Sequence, residues 1–116
     1  MNIPVTTIKK PWGMFACFTN NESSTVKLLY VDKGGELSLQ YHEHREEFWK
    51  VIRGNPEITI GEQVHQAKEG SEFFVPVKEK HRISAKTEDV IILEISTGHF
   101  DEDDIVRLED RYNRLK

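Results

Sequence analysis

Short β-rich segments separated by turn signals run through most of this 116-residue chain. Polar clusters with the residues that favour turns lie at 19–24, 32–36, 53–57, 68–72 and 86–89. Between them are segments rich in Val, Ile, Phe, Tyr and Thr: "VKLLYV", "ELSLQY", "FWKVI", "EITI", "EFFVPV" and "VIILEIS". The spacing leaves no room for the ~10–15-residue helices that a parallel α/β sheet needs between its strands. The pattern therefore predicts an all-β sandwich or barrel.

Length and charge narrow the classes of protein to consider. A chain of 116 residues can bury one core, so residues 1–116 are expected to form a single domain. The net charge of −4 lacks the basic excess typical of nucleic-acid binders, and no apolar run approaches the ~20 residues of a membrane span. Cys17 is the single cysteine, and the first residues show no charged n-region followed by an apolar h-region, so we expect a cytoplasmic protein with no nucleic-acid or membrane partner.

The end of the chain differs from the rest. In "DEDDIVRLEDRYNRLK", residues 101–116, the apolar residues Ile105, Leu108 and Tyr112 fall at i, i+3 and i+7, with acids at the start and basic residues at the finish. This pattern predicts a short C-terminal helix. The acidic run at 102–104 would then be a solvated, capping face of that helix.

The stretch "LSLQYHEHREEFWKVIRG", residues 37–54, places several ionisable groups among strand-forming residues. Burying so many of them without partners would be costly. Alternation puts Ser38, Gln40 and His42 on one face of a strand, and Glu47 and Trp49 on one face of the next. The change of parity between the two sets requires a loop or bulge in "HEHRE". An imidazole, a carboxamide and a carboxylate that converge in this way suit a divalent metal ion.

Two spaced patterns in the chain resemble the two metal-binding motifs of the cupins. The first consists of Gly34, Gln40, His42, Glu47 and Gly54, and the second of Gly70, Pro76 and His81. The chain departs from the usual motifs at three positions, with Gln40 for histidine, Lys78 for glycine and Ala85 for asparagine. The last two departures concern turn geometry and a supporting contact rather than the metal. The resemblance implies a double-stranded β-helix, the jelly-roll barrel of the cupins, with a metal site at one mouth.

Three longer segments resemble a narrower family. "KPWGMF" (10–15), "LSLQYHEHREEFW" (37–49) and "DEDDIVRLEDRYNR" (101–114) are similar to the C-terminal domain of type II mannose-6-phosphate isomerases. Many members are fused to a mannose-1-phosphate guanylyltransferase domain, but nothing in this chain resembles the glycine-rich nucleotide loop of such a domain. The expected protein is therefore the isomerase module alone.

The resemblance implies a ligand set and a reaction. The metal ligands would be Gln40, His42, Glu47 and His81, a set known from the zinc-dependent mannose-6-phosphate isomerases. Zn²⁺ is the expected ion, with Mn²⁺, Fe²⁺, Co²⁺ and Ni²⁺ also admissible. The reaction would interconvert mannose 6-phosphate and fructose 6-phosphate by moving a proton between C2 and C1 through an enediol.

Other candidate roles stay open. His44 is a fifth ligand, a pocket acid or base, or a solvated loop residue, and Glu46 is either solvated or the general base. Arg45 is a substrate-binding or catalytic residue, or a surface arginine. Trp49 is core, pocket wall or a platform for the sugar. Phosphate contacts are expected from Arg45, Lys78 or Lys80.

Two other functions compete with the isomerase. One is a non-catalytic cupin that binds a sugar or sugar phosphate, and the other is a metal-dependent oxygenase-like cupin that needs only His42, Glu47, His81 and an open coordination position. A homodimer is expected from the family and from the need to cover exposed strand edges.

Overall fold

A computed structural model describes residues 5–115, and within that range it contains strands and turns but no helix. No helix that could cross a membrane is therefore found in this part of the chain. The eleven strands are β1 (Thr6–Lys10), β2 (Gly13–Cys17), β3 (Ser24–Val31), β4 (Leu39–Tyr41), β5 (Arg45–Arg53), β6 (Glu57–Ile60), β7 (Gln63–Gln66), β8 (Glu72–Val75), β9 (His81–Ser84), β10 (Val90–Gly98) and β11 (Val106–Glu109).

Two antiparallel sheets build the body of the protein. One has the order β3-β10-β5-β8 and the other the order β11-β4-β9-β6-β7. They face each other across an apolar core to which the first sheet contributes Trp49, Val51 and Ile92 and the second Ile58 and Ile83. The predicted all-β sandwich or barrel is confirmed.

Alternation along β5 and β10 decides which side chains enter this interior. Glu47 and Trp49 lie opposite Ser96 and Glu94 of β10, and all four are buried. Cross-strand partners point to the same face of a sheet, so polar and apolar groups share the inner face. The apolar groups fill one end of the interior, and the polar groups gather towards the other.

The predicted C-terminal helix is wrong. The segment instead forms β11, which pairs with β4 through Val106 with Tyr41 and Arg107 with Gln40, and the following residues make a turn. An isolated helix of this length gains little on its own, whereas β4 offers an edge with unpaired backbone groups. Pairing with the edge strand β4 therefore outweighs the local helical pattern of apolar residues at i, i+3 and i+7.

The hairpin of β1 and β2 stands apart from both sheets. Within residues 5–115 its strands pair only with each other, and nearly every residue in them is exposed. The Cα radius of gyration is 14.8 Å, above the ~13.4 Å expected of a compact chain of this length. A two-stranded hairpin is marginally stable alone, so this hairpin needs a surface to pack on.

Candidate metal centre

Three buried side chains from three strand ends meet inside the barrel. His42, Glu47 and His81 each offer one ligand atom, and these atoms lie within 4.8 Å of one another. Nε2 of His42 is 3.4 Å from Glu47 Oε2, and Nε2 of His81 is 3.7 Å from Glu47 Oε1. All three side chains are 1–2% exposed. The structure thus brings together the two histidines and the glutamate of the predicted ligand set.

Backbone carbonyls hold the two imidazoles in one tautomer. Nδ1 of His42 lies 2.6 Å from the carbonyl oxygen of Asp104, and Nδ1 of His81 lies 2.9 Å from that of Glu79. Since a carbonyl oxygen only accepts, each Nδ1 carries the proton and donates it. Each Nε2 therefore keeps its lone pair and lies within 3.7 Å of Glu47, as in metal sites whose histidines are oriented by an outer partner.

Burial keeps both rings neutral. It lowers the pKa of His42 and lowers the pKa of His81 to about 4, in each case against the raising effect of the carbonyl that accepts from Nδ1. Metal binding needs unprotonated imidazole. At neutral pH neither ring has to lose a proton before it can act as a ligand.

Glu47 is held by neighbours on both sides. Nε of Arg45 donates to its Oε2 at 3.2 Å, and the indole N–H of Trp49 donates to its Oε1 at 3.1 Å. The same N–H is 3.3 Å from Oε2 of Glu94. Burial raises the pKa of Glu94 to about 8, and the charge of Glu47 adds to this effect. Glu94 is therefore mostly protonated at neutral pH. The sequence analysis missed this site residue, although it is the lone acid in "VIILEIS".

Arg45 reaches the interior by ordinary strand alternation, because β5 begins at Arg45 itself. Besides Glu47, its guanidinium contacts Nε2 of His42 at 3.3 Å and the carbonyl of Asp101 at 3.0 Å, and it lies over the ring of Phe100. The side chain is 6% exposed. The surface alternative for Arg45 is thereby excluded, and its role towards a substrate stays a prediction.

Gln40 lies beside the cluster, on the face that alternation predicted. Its Nε2 is 3.4 Å from Nε2 of His42, and its Oε1 accepts from the hydroxyl of Ser38. Ligation through oxygen requires the terminal amide to turn by 180°, and Ser38 can then accept from the amide instead. The side chain is thus within reach of the cluster, and its ligation stays a prediction.

The acidic run near the C-terminus shapes the site, although the sequence suggested only a solvated face. The carboxylate of Asp104 accepts from the backbone N–H groups of Glu43 and His44, and its carbonyl fixes His42. These bonds pin the bend between β4 and β5, where the parity changes as predicted. No local sequence signal distinguishes Asp104 from its acidic neighbours, because the contact is formed across about 60 residues of chain.

His44 and Glu46 lie outside the metal cluster. Glu46 is opposite Thr97 on the outer face of β5 and accepts a hydrogen bond from its hydroxyl. His44 is exposed and lines the same outer pocket as Glu46, together with Val77 and Gly98. The sheet separates this pocket from Glu47. The proposed acid–base roles of His44 and Glu46 stay predictions.

The two lysines predicted to meet a phosphate have different surroundings. Lys78 is exposed at φ 65°, which explains why the related motif prefers glycine there. Its backbone N–H donates to the carbonyl of His42. Nζ of Lys80 pairs with Glu62 at 2.7 Å. Arg82 follows His81 on β9 and so faces away from the interior, and it donates hydrogen bonds to the carbonyl of Leu37 and the carboxylate of Glu109.

The donor set fits a divalent transition metal. Two imidazole nitrogens and a carboxylate oxygen converge, and Nε2 of His81 is buried with no hydrogen-bond partner in the described part of the chain. Such an unsatisfied atom costs ~1–3 kcal/mol unless something binds it. Nitrogen and oxygen donors of this kind suit Zn²⁺, Mn²⁺, Fe²⁺, Co²⁺ and Ni²⁺ alike, so they do not select one ion.

Comparisons with known proteins agree with this architecture. The profile of the family described as mannose-6-phosphate isomerase C-terminal matches residues 4–110. The chain is 36% identical over 109 residues to the xanthan biosynthesis protein XanB of Xanthomonas campestris pv. campestris, covering 92% of this chain and 23% of that protein. It is 33% identical over 110 residues to the mannose-1-phosphate guanylyltransferase ManC of Salmonella typhimurium, covering 93% and 23%. The chain thus spans about a quarter of the length of these relatives.

A solved structure supports the fold. A conserved protein with a double-stranded β-helix domain from Klebsiella pneumoniae subsp. pneumoniae superposes with a TM-score of 0.66 at 20% identity, covering 79% of this chain and 80% of that one. At this identity the likeness concerns the fold alone.

Proposed function

The chain belongs to the family of mannose-6-phosphate isomerase C-terminal domains, and from this premise we propose that it is a metal-dependent isomerase that interconverts mannose 6-phosphate and fructose 6-phosphate. Residues 1–116 act in this proposal as a single cupin domain, in the cytoplasm. The observation that carries it is the cluster of His42, Glu47 and His81, in which both imidazoles bond backbone carbonyls through Nδ1 and keep Nε2 for the cluster.

The reaction needs stabilisation of negative charge on the sugar's carbonyl oxygen. A divalent ion held by His42, Glu47 and His81, with Gln40 as a fourth ligand, would supply a Lewis acid for that oxygen and for the enediolate. Arg45 orients Glu47 through its 3.2 Å contact. Trp49 closes the floor of the site, because its buried ring packs edge-on against His81 at 5.4 Å.

Transfer of the proton between C2 and C1 also needs a base. His44 and Glu46 are the candidates predicted from the sequence, although both line the outer pocket, on the side of the sheet opposite to Glu47, and a Glu46 variant decides whether Glu46 takes part. Replacing Glu46 by Gln removes the basic oxygen at nearly constant volume. If Glu46 is the base, Glu46→Gln should keep its metal but lose the exchange of the C2 proton of mannose 6-phosphate with solvent. Unchanged exchange in that variant would remove Glu46 from the mechanism.

A coupled assay tests the proposed function. The metal-loaded protein is incubated with mannose 6-phosphate, and fructose 6-phosphate is detected, while oxygen uptake is followed in parallel. Metal-dependent turnover of the sugar phosphate supports the isomerase. Oxygen uptake without isomerisation would indicate the oxygenase-like cupin, and saturable binding without turnover would indicate a binding module.

We further propose that the protein is a homodimer joined through the outer face of the β3-β10-β5-β8 sheet. On this face Val26, Leu28 and Tyr30 are 50–68% exposed along the edge strand β3. The projecting hairpin carries exposed apolar groups of its own, Trp12 and Phe15 among them. Exposed apolar side chains grouped in this way usually mark an interaction surface, and a stable interface buries ~800 Å² per partner. A second copy would cover both.

A further inference from the structure

Three buried polar atoms in the described chain have no hydrogen-bond partner: Nε2 of His81, Oγ of Ser96 and Nε of Arg107. All three belong to residues on the inner face of the barrel. Ser96 lies opposite Glu47, and Arg107 lies opposite Gln40, which in turn lies opposite His81. A metal ion would satisfy His81. It would not satisfy a guanidinium, because arginine has no lone pair to donate.

Among the described residues Arg107 has no acidic partner, whereas four of the other five arginines have one. Arg45, Arg82 and Arg114 each pair with a carboxylate at 3.2 Å or less. Among residues 5–115 the guanidinium of Arg107 makes one hydrogen bond, from Nη1 to the carbonyl of Arg114 at 3.4 Å. Its positive charge is therefore uncompensated on the face that carries the metal cluster.

The position of Arg107 suits contact with the end of a ligand that lies some distance from the metal cluster. Strand β4 separates β11 from β9, so the backbone of Arg107 is two strand spacings, about 10 Å, from that of His81. A sugar whose carbonyl end lies at the cluster extends its far end across Gln40 towards β11. The planar fork of a guanidinium binds two oxygens of a phosphate at once.

We propose that Arg107 binds the phosphate group of the sugar phosphate. This inference rests on the proposed function, because it takes the ligand at the cluster to be a phosphorylated hexose. It also assigns the phosphate to a residue other than those expected from the sequence, because Arg45 forms an ion pair with Glu47 and Lys80 forms one with Glu62. Lys78 is exposed, and its backbone N–H donates to the carbonyl of His42.

Binding measurements on the metal-loaded protein separate this role from a structural one. The variants are Arg107→Gln, Arg107→Lys and, as a matched control, Arg53→Gln, which alters an exposed arginine at the far end of β5. Affinities for mannose 6-phosphate, inorganic phosphate and unphosphorylated mannose are measured by calorimetry, together with metal content and melting temperature.

The expected result is at least a ~30-fold weaker affinity of Arg107→Gln for mannose 6-phosphate, a comparable loss for inorganic phosphate, and unchanged affinity for mannose. Arg107→Lys should recover part of the loss, and Arg53→Gln should match the wild type. Wild-type affinity of Arg107→Gln for mannose 6-phosphate, equal losses for mannose and its phosphate, or a wild type that binds no phosphate would each overturn the inference.

The two proposals can fail separately in these experiments. A wild type that binds mannose 6-phosphate through Arg107 without turning it over would uphold the phosphate site and refute the isomerase. Turnover with a KM that Arg107→Gln leaves unchanged would uphold the isomerase and refute the phosphate site.

Discussion

His81 connects metal binding to folding, because its ring is buried, neutral and unpartnered at Nε2. Nothing in the described chain uses that lone pair. The hydrogen bond from Nδ1 to the Glu79 carbonyl keeps it available.

We predict that His81→Ala loses bound metal and isomerase activity while the fold survives. The change removes one of three converging donors and leaves the apolar core of Ile58, Ile83 and Ile92 intact. Elemental analysis of protein purified without added metal should fall from about one ion per chain to less than ~0.1. Circular dichroism should keep its β spectrum. A full equivalent of metal in this variant would remove His81 from the ligand set.

The metal-free protein should lose stability as the pH falls from 6.5 to about 4. In this window the unfolded chain protonates His81 and the folded chain does not, because burial lowers the folded pKa to about 4. The unfolded state therefore binds more protons, and the free energy of unfolding decreases with falling pH by on the order of 3 kcal/mol. Urea titrations at several pH values measure this. A dependence no steeper than that of metal-free His81→Gln would contradict it.

Arg45→Ala should affect both stability and catalysis, because it leaves Glu47 buried without its cationic partner. Removing one member of a buried pair costs ~3–5 kcal/mol, so the melting temperature of the metal-free variant should fall. We expect kcat/KM to fall at least ~100-fold, about 2.7 kcal/mol of transition-state stabilisation. Arg45→Lys should restore part of the melting temperature and part of kcat/KM, because lysine keeps the positive charge but lacks the planar guanidinium. Wild-type efficiency in Arg45→Ala would show that Arg45 has no catalytic role.

At the scale of elements, the edge strand β3 and the β1–β2 hairpin both expose apolar side chains that a single chain leaves uncovered. Val26, Leu28 and Tyr30 point outward from β3, opposite Ile95, Leu93 and Ile91 of β10. Exposed apolar patches of this extent usually mark an interaction surface.

Leu28→Lys should convert the dimer to a monomer, because it puts a charge at the centre of the exposed face. Light scattering after gel filtration measures the mass. Val64→Lys is the matched control, since Val64 is at least as exposed as Leu28 but lies on β7 at the far edge of the other sheet. A wild type that is already monomeric, or a Leu28→Lys variant that stays dimeric, would show that this face is not the interface.

The elements also show where prediction from sequence succeeds and where it fails. Alternation placed Ser38, Gln40 and His42 correctly on one face, because the period of a strand is a local property. The strand β11 was predicted as a helix, because its structure depends on the distant edge of β4. The role of Asp104 was missed for the same reason, since it binds the bend at Glu43 and His44 through long-range contacts.

For the whole molecule, the two sheets act as a rigid frame that brings groups far apart in the sequence to one site. His42, Glu47 and His81 come from the ends of β4, β5 and β9, and Glu94 of β10 supports them through Trp49. Motif spacing predicted the three donors. It did not predict Glu94 or Arg107, because their place in the site follows from strand pairing across the barrel.

The most direct measurement of the central claim is a metal titration of the stripped protein, followed by isomerase activity on mannose 6-phosphate. If the site formed by His42, Glu47 and His81 drives the reaction, activity should be absent at first, rise in proportion to added Zn²⁺ or another admissible ion, and level off at one equivalent per chain. The same titration of His81→Ala should give no activity at any ratio. Full activity of the stripped wild type, or equal activity in His81→Ala, would contradict the account.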